Sequence, residues 1–598
     1  MDFGFFDERD WSYDVSFSYD RGVGFQSQQI LFEPNLVQAT AGVYQDQDSG
    51  EIRCGVPFAV GFFGFDTLPD CVPFQAFAPS IFESAGRERD GSFATQEEFD
   101  YLTGLRTNRS VVEQTMFQAY LTGDLFDIPG GGTVKAAFGG EFREDAIETQ
   151  NDITGVQSLI ASEVPFQEGQ TIGSRTVTEF YGEVALPLIQ GRRGIEDLSI
   201  DLAARYTDEE FFGSDTTYRF RGSYSPVSYL TFSGSYGTSF RAPNLREQFL
   251  ADQGGAASGG VDPCNNRNFE DPDSDPEQQF IIQNCIADGV EFFDSNGDGN
   301  PDSTVLGTGG SLATFVRVGG NDDIQAETSR SYTGTVTFSQ PFTDVFAFDL
   351  AVSYFDIVVN DAINELSPSL ITSECYANPE FPGLTSPFCD RVTRRTNTAA
   401  SDASLEVIDA SFVNVGEETV KGIDINTRLG FDLQDLFGAS APPVDVNWAT
   451  STSHALEQEI EVLSPEDRDD NVGEIGFPEW RFNSILNLSL NDLQFTTQSR
   501  FISAQAVDEE DRFPFQERPN ILGSPSARSL DFTGDYWVHD ASVSYNRDRY
   551  GLTFGVRNLA NRAPEEIGTG GANRAGAVTS VGYDFFGRTY FVNGTVRF

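Results

Sequence analysis

The chain has 598 residues, of which 39% are hydrophobic, and a mean hydropathy of -0.30. It holds no apolar run of the roughly 18 or more residues that a membrane helix needs, which excludes a helical membrane protein. A formal net charge of -54 excludes nucleic acid as a partner, because that requires a basic surface. The chain carries 54 Phe and 19 Tyr against 2 His and 2 Met, and its lysines are Lys135 and Lys421. That balance argues against a hydrolase or metalloenzyme, and no Walker loop, nucleophile elbow or HExxH is present, so the chain reads as a non-enzyme.

The N-terminus, Met1-Asp2-Phe3-Gly4-Phe5-Phe6-Asp7-Glu8, has no basic stretch followed by a long apolar core. No signal peptide is read there. Residue 11 opens directly into an alternating stretch, Trp11-Ser12-Tyr13-Asp14-Val15-Ser16-Phe17. The same period-2 pattern recurs down the chain. Leu198, Ile200, Leu202, Ala204 and Tyr206 share one face, against Ser199, Asp201, Ala203 and Arg205 on the other. Leu230, Phe232, Gly234 and Tyr236 oppose Thr231, Ser233 and Ser235, and Phe346 to Tyr354 and Tyr550 to Val556 repeat the alternation. One apolar and one polar face per strand, in a chain with no membrane helix, predicts an all-β antiparallel transmembrane barrel whose polar faces line an aqueous lumen.

Sixteen strands are predicted, starting near residues 11, 111, 131, 174, 196, 213, 228, 327, 345, 405, 442, 477, 492, 535, 549 and 585, with 405–433 taken as one long strand. Short turns, as at Asp127–Gly132, Gln190–Glu196 and Asn546–Arg549, alternate with long segments. The longest are 21–110, 241–326 and 358–404. Short links on one side and long ones on the other is the layout of an outer-membrane barrel. The last strand, Tyr590 to Phe598, puts Tyr590, Val592, Gly594, Val596 and Phe598 on one face and ends on an aromatic.

The long segments carry the remaining signals. Acid is concentrated there, as at Asp262–Asp302 and Glu466–Asp470, and reads as solvation of the loops. The cysteines fall as three local pairs, Cys54 and Cys71, Cys264 and Cys285, Cys375 and Cys389. Locality favours these pairings among the many that six cysteines allow, and loop staples suit an oxidising compartment. No CxxC spacing exists, so zinc is not expected. Asp294, Asn296, Asp298, Asn300 and Asp302 place an oxygen at every second position around Gly297 and Gly299, a pattern suited to Ca²⁺. An EF-hand would need Glu where Val305 stands, so the alternative is a solvated acidic turn. The stretch 54–93 is rich in Phe (Phe58, Phe62, Phe63, Phe65, Phe74, Phe77, Phe82, Phe93) and forms either an aromatic wall for a ligand or the loop's own small core. His454 and His539 have no partner set for catalysis; His539 follows Trp537 on an alternating face and reads as a belt or lumen residue.

Several segments, in order, resemble the TonB-dependent outer-membrane receptors. Gly237 to Glu247, with Phe240, Arg241, Ala242, Pro243 and Asn244, resembles that family's "SFRAPN" segment. Gly320 to Ser329 resembles its "GNPxLxPExS" segment, with Asp322 and Ala326 in place of the prolines. Phe412 to Gly416 with Lys421 to Asp424 resembles its "NxG…xGxE" strand, and Arg557-Asn558-Leu559 with Pro564 its "NLxDxxP" element. Tyr583-Asp584, Gly587-Arg588 and the terminal Phe598 resemble its closing segment. The residues themselves suggest structural roles: Pro243 ends a strand, Asn558 caps one, and Arg241 and Glu247 are available for ion pairs.

The resemblance covers most of 111–598 and implies a barrel of about 22 strands around an N-terminal plug. The expectation is therefore a partial barrel over 1–598, about sixteen of those strands, without signal, TonB-binding box, plug or first strands. It also implies uptake of a scarce nutrient, of the siderophore, cobalamin or oligosaccharide class, by TonB-coupled transport. The setting is the outer membrane of a Gram-negative bacterium, among lipid and lipopolysaccharide, with TonB engaged through the missing N-terminal part. No cofactor is expected beyond the Ca²⁺ considered above. The alternatives are a passive sixteen-stranded channel, a non-functional receptor fragment, and a soluble β-rich adhesin.

Overall fold

The computed structural model describes the chain apart from residues 1–9, 42, 46–48, 57–65, 68–70, 77, 79–92, 162–166, 258, 266–274, 296, 298, 300, 305–313, 396–402, 463–467, 508–531, 568–580 and 598. Sixteen long strands form one antiparallel sheet. They are β1 (Ser12–Leu31), β2 (Thr103–Asp127), β3 (Thr133–Asn151), β4 (Ile172–Arg192), β5 (Ile195–Glu209), β6 (Gly213–Val227), β7 (Leu230–Arg241) and β8 (Glu327–Ser339). They continue as β9 (Phe346–Asn360), β10 (Glu417–Asp432), β11 (Asp445–Glu461), β12 (Trp480–Leu490), β13 (Leu493–Ile502), β14 (Tyr536–Arg547), β15 (Tyr550–Arg557) and β16 (Thr589–Val596). A two-residue strand, Asp469–Asp470, adds beside β11.

Each strand pairs with the next in sequence, from β1 on β2 to β15 on β16. Among the described residues no ladder joins β16 back to β1. The sheet is thus an arc with two free edges, of 20 and 8 residues.

The alternation legible in the sequence fixes which face is which. On β1, Tyr13, Val15, Phe17, Tyr19, Val23 and Phe25 share one side and are all more than half exposed. Phe17 sits opposite Phe117, and that face continues across β2 and β3 to Phe142. Further round, the tilted rings of Tyr218, Tyr236 and Tyr332 pack side by side across β6, β7 and β8, Tyr236 and Tyr332 with ring centroids 4.7 Å apart. A continuous apolar and aromatic outer face is what lipid accepts; the opposite face holds the Ser, Thr, Asn and charged residues.

The turns on one side are short for local reasons. β12 and β13 are joined by Asn491 and Asp492, with Asn491 at φ +52, a left-handed position that Asn tolerates. At the β2–β3 turn a Cβ on Gly131 would lie 2.3 Å from the Pro187 carbonyl, so only glycine lets that turn pack on β4. The β10–β11 link is longer and holds a helical turn, Leu433–Phe437.

The long links differ from expectation in two respects. β1 and β2 run beyond the expected ends of the 21–110 segment, leaving 32–102 between them. The 405–433 stretch is not one strand: Leu405–Asp409 lies in a separate sheet, and only Glu417–Asp432 joins the barrel. Leu405 and Ile408, three residues apart, are both buried in the loop domain, so this short strand lacks the strict period 2 of the barrel strands.

That loop domain, the head, has a sheet of four strands, Gln253–Ala257, Thr314–Val318, Leu405–Asp409 and Val392–Arg394. The helices Pro276–Ala287 and Pro368–Tyr376 belong to it. Its apolar core gathers Val316, Leu366, Ile371, Phe388, Leu405 and Ile408.

Candidate functional site

Three of the motif segments singled out in the sequence meet at the junction between the barrel rim and the head. Arg241 ends β7 and Glu327 opens β8 directly opposite it. The Arg241 guanidinium reaches both Glu327 oxygens, the Nη2–Oε1 contact being 2.6 Å, and donates to Glu247 Oε2 at 2.9 Å. Glu327 Oε1 also accepts the Ile363 N–H at 2.7 Å, drawing in the next long link. Asn244 caps the turn Leu245–Phe249: its Oδ1 accepts from the Arg246 and Glu247 N–H groups, and Glu247 answers on the Asn244 N–H, a reciprocal capping box. Buried Pro243 ends the strand, and its carbonyl accepts from Arg175 on β4. Phe240 and Ala242, flanking Arg241, are half-buried.

The second and third segments interlock with the first. Asn321 N–H donates to the Glu247 carbonyl at 3.0 Å, and its Nδ2 donates to the Phe412 carbonyl at 2.8 Å. Asn414 Oδ1 accepts from Gln325 N–H at 2.6 Å, while its Nδ2 donates to the Gln325 and Asp361 carbonyls. Arg246 lies over the Phe412 ring, 5.4 Å from its centroid. The knot uses side-chain amides and carboxylates to satisfy backbone groups where three strands leave their ladders. It holds the head on the barrel and offers no nucleophile–base pair.

Asn558 plays the same part elsewhere. It is fully buried at φ +49; its N–H donates to Asp540, its Nδ2 to the Arg562 carbonyl, and its Oδ1 accepts from Arg562 N–H. The Leu559 N–H donates to the His539 carbonyl, while the Leu559 side chain is half exposed. Phe598 lies outside the described residues.

Inside the head, Arg394 is the centre of a buried network that sequence reasoning missed. It makes paired bonds of 2.8 Å to Asp262, one of 2.7 Å to Asp288, lies over the Tyr376 ring at 4.9 Å, and donates to Cys264 Sγ. Burial works against its charge, but Asp262 outweighs it and lifts the Arg394 pKa above its usual value. Burial pushes the Tyr376 phenol up. Asp409 shows the opposite balance: burial opposes its charge, yet hydrogen bonds from Arg317 and Ser411 hold its pKa below the usual carboxylate range. No pattern in the sequence marks Arg394, because its carboxylate partners lie more than a hundred residues away.

The cysteines are joined as Cys54–Cys71, Cys264–Cys285 and Cys375–Cys389. Of the oxygen-rich turn, Asn296, Asp298 and Asn300 lie outside the described residues. Asp294 accepts from the Gly297 and Gly299 N–H groups, and Asp302 from Ser295 N–H and Oγ, so both carboxylates serve the turn itself. Among the described residues no group of three potential metal ligands occurs. Phe74, Phe93 and Phe99 pack edge to face, at 6.2 and 5.8 Å, as a small loop core; Phe58, Phe62, Phe63, Phe65, Phe77 and Phe82 lie outside the described residues. His454 stacks on Trp480 at 3.9 Å, and His539 shares the outer face with Trp537 and bonds Ser499 at 2.8 Å.

Comparison with known proteins gives a family and a set of folds. The family model described as "TonB dependent receptor-like, beta-barrel" matches residues 2–559. No curated protein matches the sequence. Among solved structures, the ferric enterobactin receptor PfeA of Pseudomonas aeruginosa is 14% identical, covering 83% of this chain and 58% of its own, with a TM-score of 0.47. The siderophore receptor PirA of Acinetobacter baumannii is 13% identical, over 83% and 59%, at 0.46. The Serratia marcescens hemophore receptor HasR is 14% identical, over 83% and 61%, at 0.46. The chain thus spans about three fifths of the length of these receptors.

Proposed function

The chain belongs to the TonB-dependent receptor β-barrel family, and from that premise we propose that it serves an outer-membrane receptor that takes up a scarce nutrient by TonB-coupled transport. The candidate classes are siderophore-bound iron, cobalamin and oligosaccharides. The setting is the outer membrane of a Gram-negative bacterium; the outer face meets lipid and lipopolysaccharide, and energy arrives through TonB in the complete receptor. The observation that carries the reading is the two-faced arc of sixteen strands whose family motifs knot a folded head onto one rim. In this division of labour the head and the other long links gather ligand, the barrel encloses the path, and no covalent chemistry takes place.

The free edges bear on the alternative of a passive sixteen-stranded channel. Such a channel needs β16 on β1, and that ladder is absent among the described residues. An unpaired edge in lipid costs several kcal/mol for each unsatisfied backbone group. Partner strands from the same receptor would satisfy both edges, in line with a barrel of about 22 strands.

Two measurements test the proposal. The intact mass of the protein in the host's outer-membrane fraction should exceed 65.6 kDa by on the order of two hundred residues, enough for further strands and a plug. Disrupting the gene should abolish growth on one of the three nutrient classes at limiting concentration, and a protonophore should abolish the corresponding uptake in wild type. Uptake that persists in de-energised cells would rule out active transport and favour the passive channel.

A further inference from the structure

The apolar outer face does not stop at the strand ends everywhere. On the short-turn rim several links are brief and polar: Arg193-Gly194 joins β4 to β5, Asn491-Asp492 joins β12 to β13, and Asp548-Arg549 joins β14 to β15. Two neighbouring links differ. The 340–345 link joins β8 to β9 and carries Phe342, 76% exposed. The 433–444 link joins β10 to β11 and carries Leu436 and Phe437, 44% and 71% exposed. They lie side by side, because β9 opens at Phe346 opposite Phe431 of β10. Neither link holds a Lys or Arg.

The first link is continuous with the surface assigned to lipid. Phe338 and Phe348 lie on the outer face of β8 and β9, their ring centroids 6.4 Å apart. Tyr229, in the β6–β7 turn, meets Phe338 edge to face at 6.2 Å and reaches Phe342 at 5.7 Å. A chain of aromatic rings thus runs from the barrel wall onto the turn.

Both links also close their own backbone. Gln340 Oε1 accepts the Phe342 N–H at 3.0 Å, and its Nε2 donates to the Thr343 carbonyl at 2.8 Å. Asp432 accepts from the Gln434 N–H at 2.7 Å, and Gln434 Nε2 donates to the Ala441 carbonyl at 2.9 Å. The Leu433 N–H reaches the Val444 carbonyl at 3.0 Å, and Pro442 and Pro443 bring no N–H at all. A link bathed in water has no need of such closure. One that leaves water must meet its polar groups internally.

We infer that the 340–345 and 433–444 links form an interfacial anchor, seated in the periplasmic leaflet with Phe342, Leu436 and Phe437 among the upper acyl chains of its phospholipids. Apolar side chains on a short polar frame suit the boundary between headgroups and acyl chains, at a depth of about 5–10 Å. A periplasmic protein is the competing occupant. The inference rests on reading the apolar face as lipid-facing and the short-turn rim as periplasmic.

The test is nitroxide labelling of the complete receptor in phosphatidylethanolamine–phosphatidylglycerol vesicles. The six cysteines of this chain are bonded in pairs, so an introduced cysteine takes the label. Labels go at Phe342→Cys and Phe437→Cys, at the polar links as Arg193→Cys and Asp548→Cys, and on the wall as Leu202→Cys. Collisions with oxygen, which concentrates among acyl chains, are compared with collisions with a water-soluble nickel chelate. Oxygen should dominate at 342 and 437, and nickel at 193 and 548. Ser440→Cys keeps all three apolar side chains and should report the same seating, which Phe342→Ser with Phe437→Ser should shift toward nickel. Nickel dominance at 342 and 437 would leave the links in water, and protection from both reagents would put a protein on them; either overturns the inference, as does a label at 440 that ignores the two serines. Leu202→Cys separates the readings: oxygen at 202 with nickel at 437 sinks the anchor alone, whereas nickel at 202 sinks the lipid-facing wall as well.

Discussion

The head and the barrel reach stability by opposite routes. The head has a dry core in which Ile371, Leu405 and Ile408 are essentially inaccessible, two disulfides, and a charge network sealed around Arg394. The barrel wall has almost no interior: its large apolar residues stay on the outer surface, Tyr13 at 80% and Phe17 at 69% exposure. It is held by ladder hydrogen bonds and by whatever covers the apolar face. A charge placed in the head therefore fails by losing a partner, and a charge placed on the barrel fails by meeting lipid.

The largest effect should come from Arg394→Leu. It leaves Asp262 and Asp288 as buried carboxylates without their cation, a loss of about 3–5 kcal/mol. The expected outcome is a head that becomes sensitive to protease while the barrel keeps its heat-dependent gel mobility. Loss of both together would mean that head and barrel form one cooperative unit.

Leu202→Arg tests the other side of the contrast. Leu202 lies on the apolar face between Val184 and Phe220, and a mid-membrane arginine there should cost about 2–4 kcal/mol and impair assembly. Ser199→Arg, on the polar face of the same strand, should assemble normally. Equal tolerance of both would overturn the assignment of faces.

Acid should loosen the head first. The Asp409 pKa is depressed in the folded state, so its contribution is complete above the ordinary carboxylate value of about 4 and is lost as pH falls through the lower folded value. Protease susceptibility of the head should rise below about pH 4, and Asp409→Asn should remove that part of the dependence. A dependence unchanged in Asp409→Asn would place the acid response elsewhere.

The two regions also differed in how far the sequence revealed them. All sixteen barrel strands are legible, because each presents lipid on one side and water on the other, and that contrast writes period 2 into residues such as Leu198 to Tyr206. The head was hidden for the same physical reason. Leu405–Asp409 also reads as a β segment, but Leu405 and Ile408 are buried in a protein core, and apolar content alone does not distinguish a core from a bilayer. The knot was half legible: Arg241, Pro243 and Asn244 stood out as residues at a strand exit. Their convergence with Asn321, Glu327 and Asn414 depends on contacts some ninety residues apart in sequence. Arg394 left no trace, since one arginine in an acidic loop looks like any other until its partners are brought round it.

The smallest effect separates two uses of acid within the head. Asp262 and Asp288 bond Arg394, whereas Asp294 and Asp302 accept from backbone N–H groups of their own turn. We propose that this turn takes Ca²⁺ weakly, its oxygens at every second position being the ligand type that cation prefers. With a dissociation constant in the range of extracellular modules, about 0.1–1 mM, 1 mM Ca²⁺ would add only about 0.4–1.4 kcal/mol. Millimolar Ca²⁺ should then slow proteolysis within the turn in wild type and not in Asp298→Ala, with thermal stability moving by a few degrees at most. Identical proteolysis with and without Ca²⁺ in both proteins would leave the turn as solvated acid.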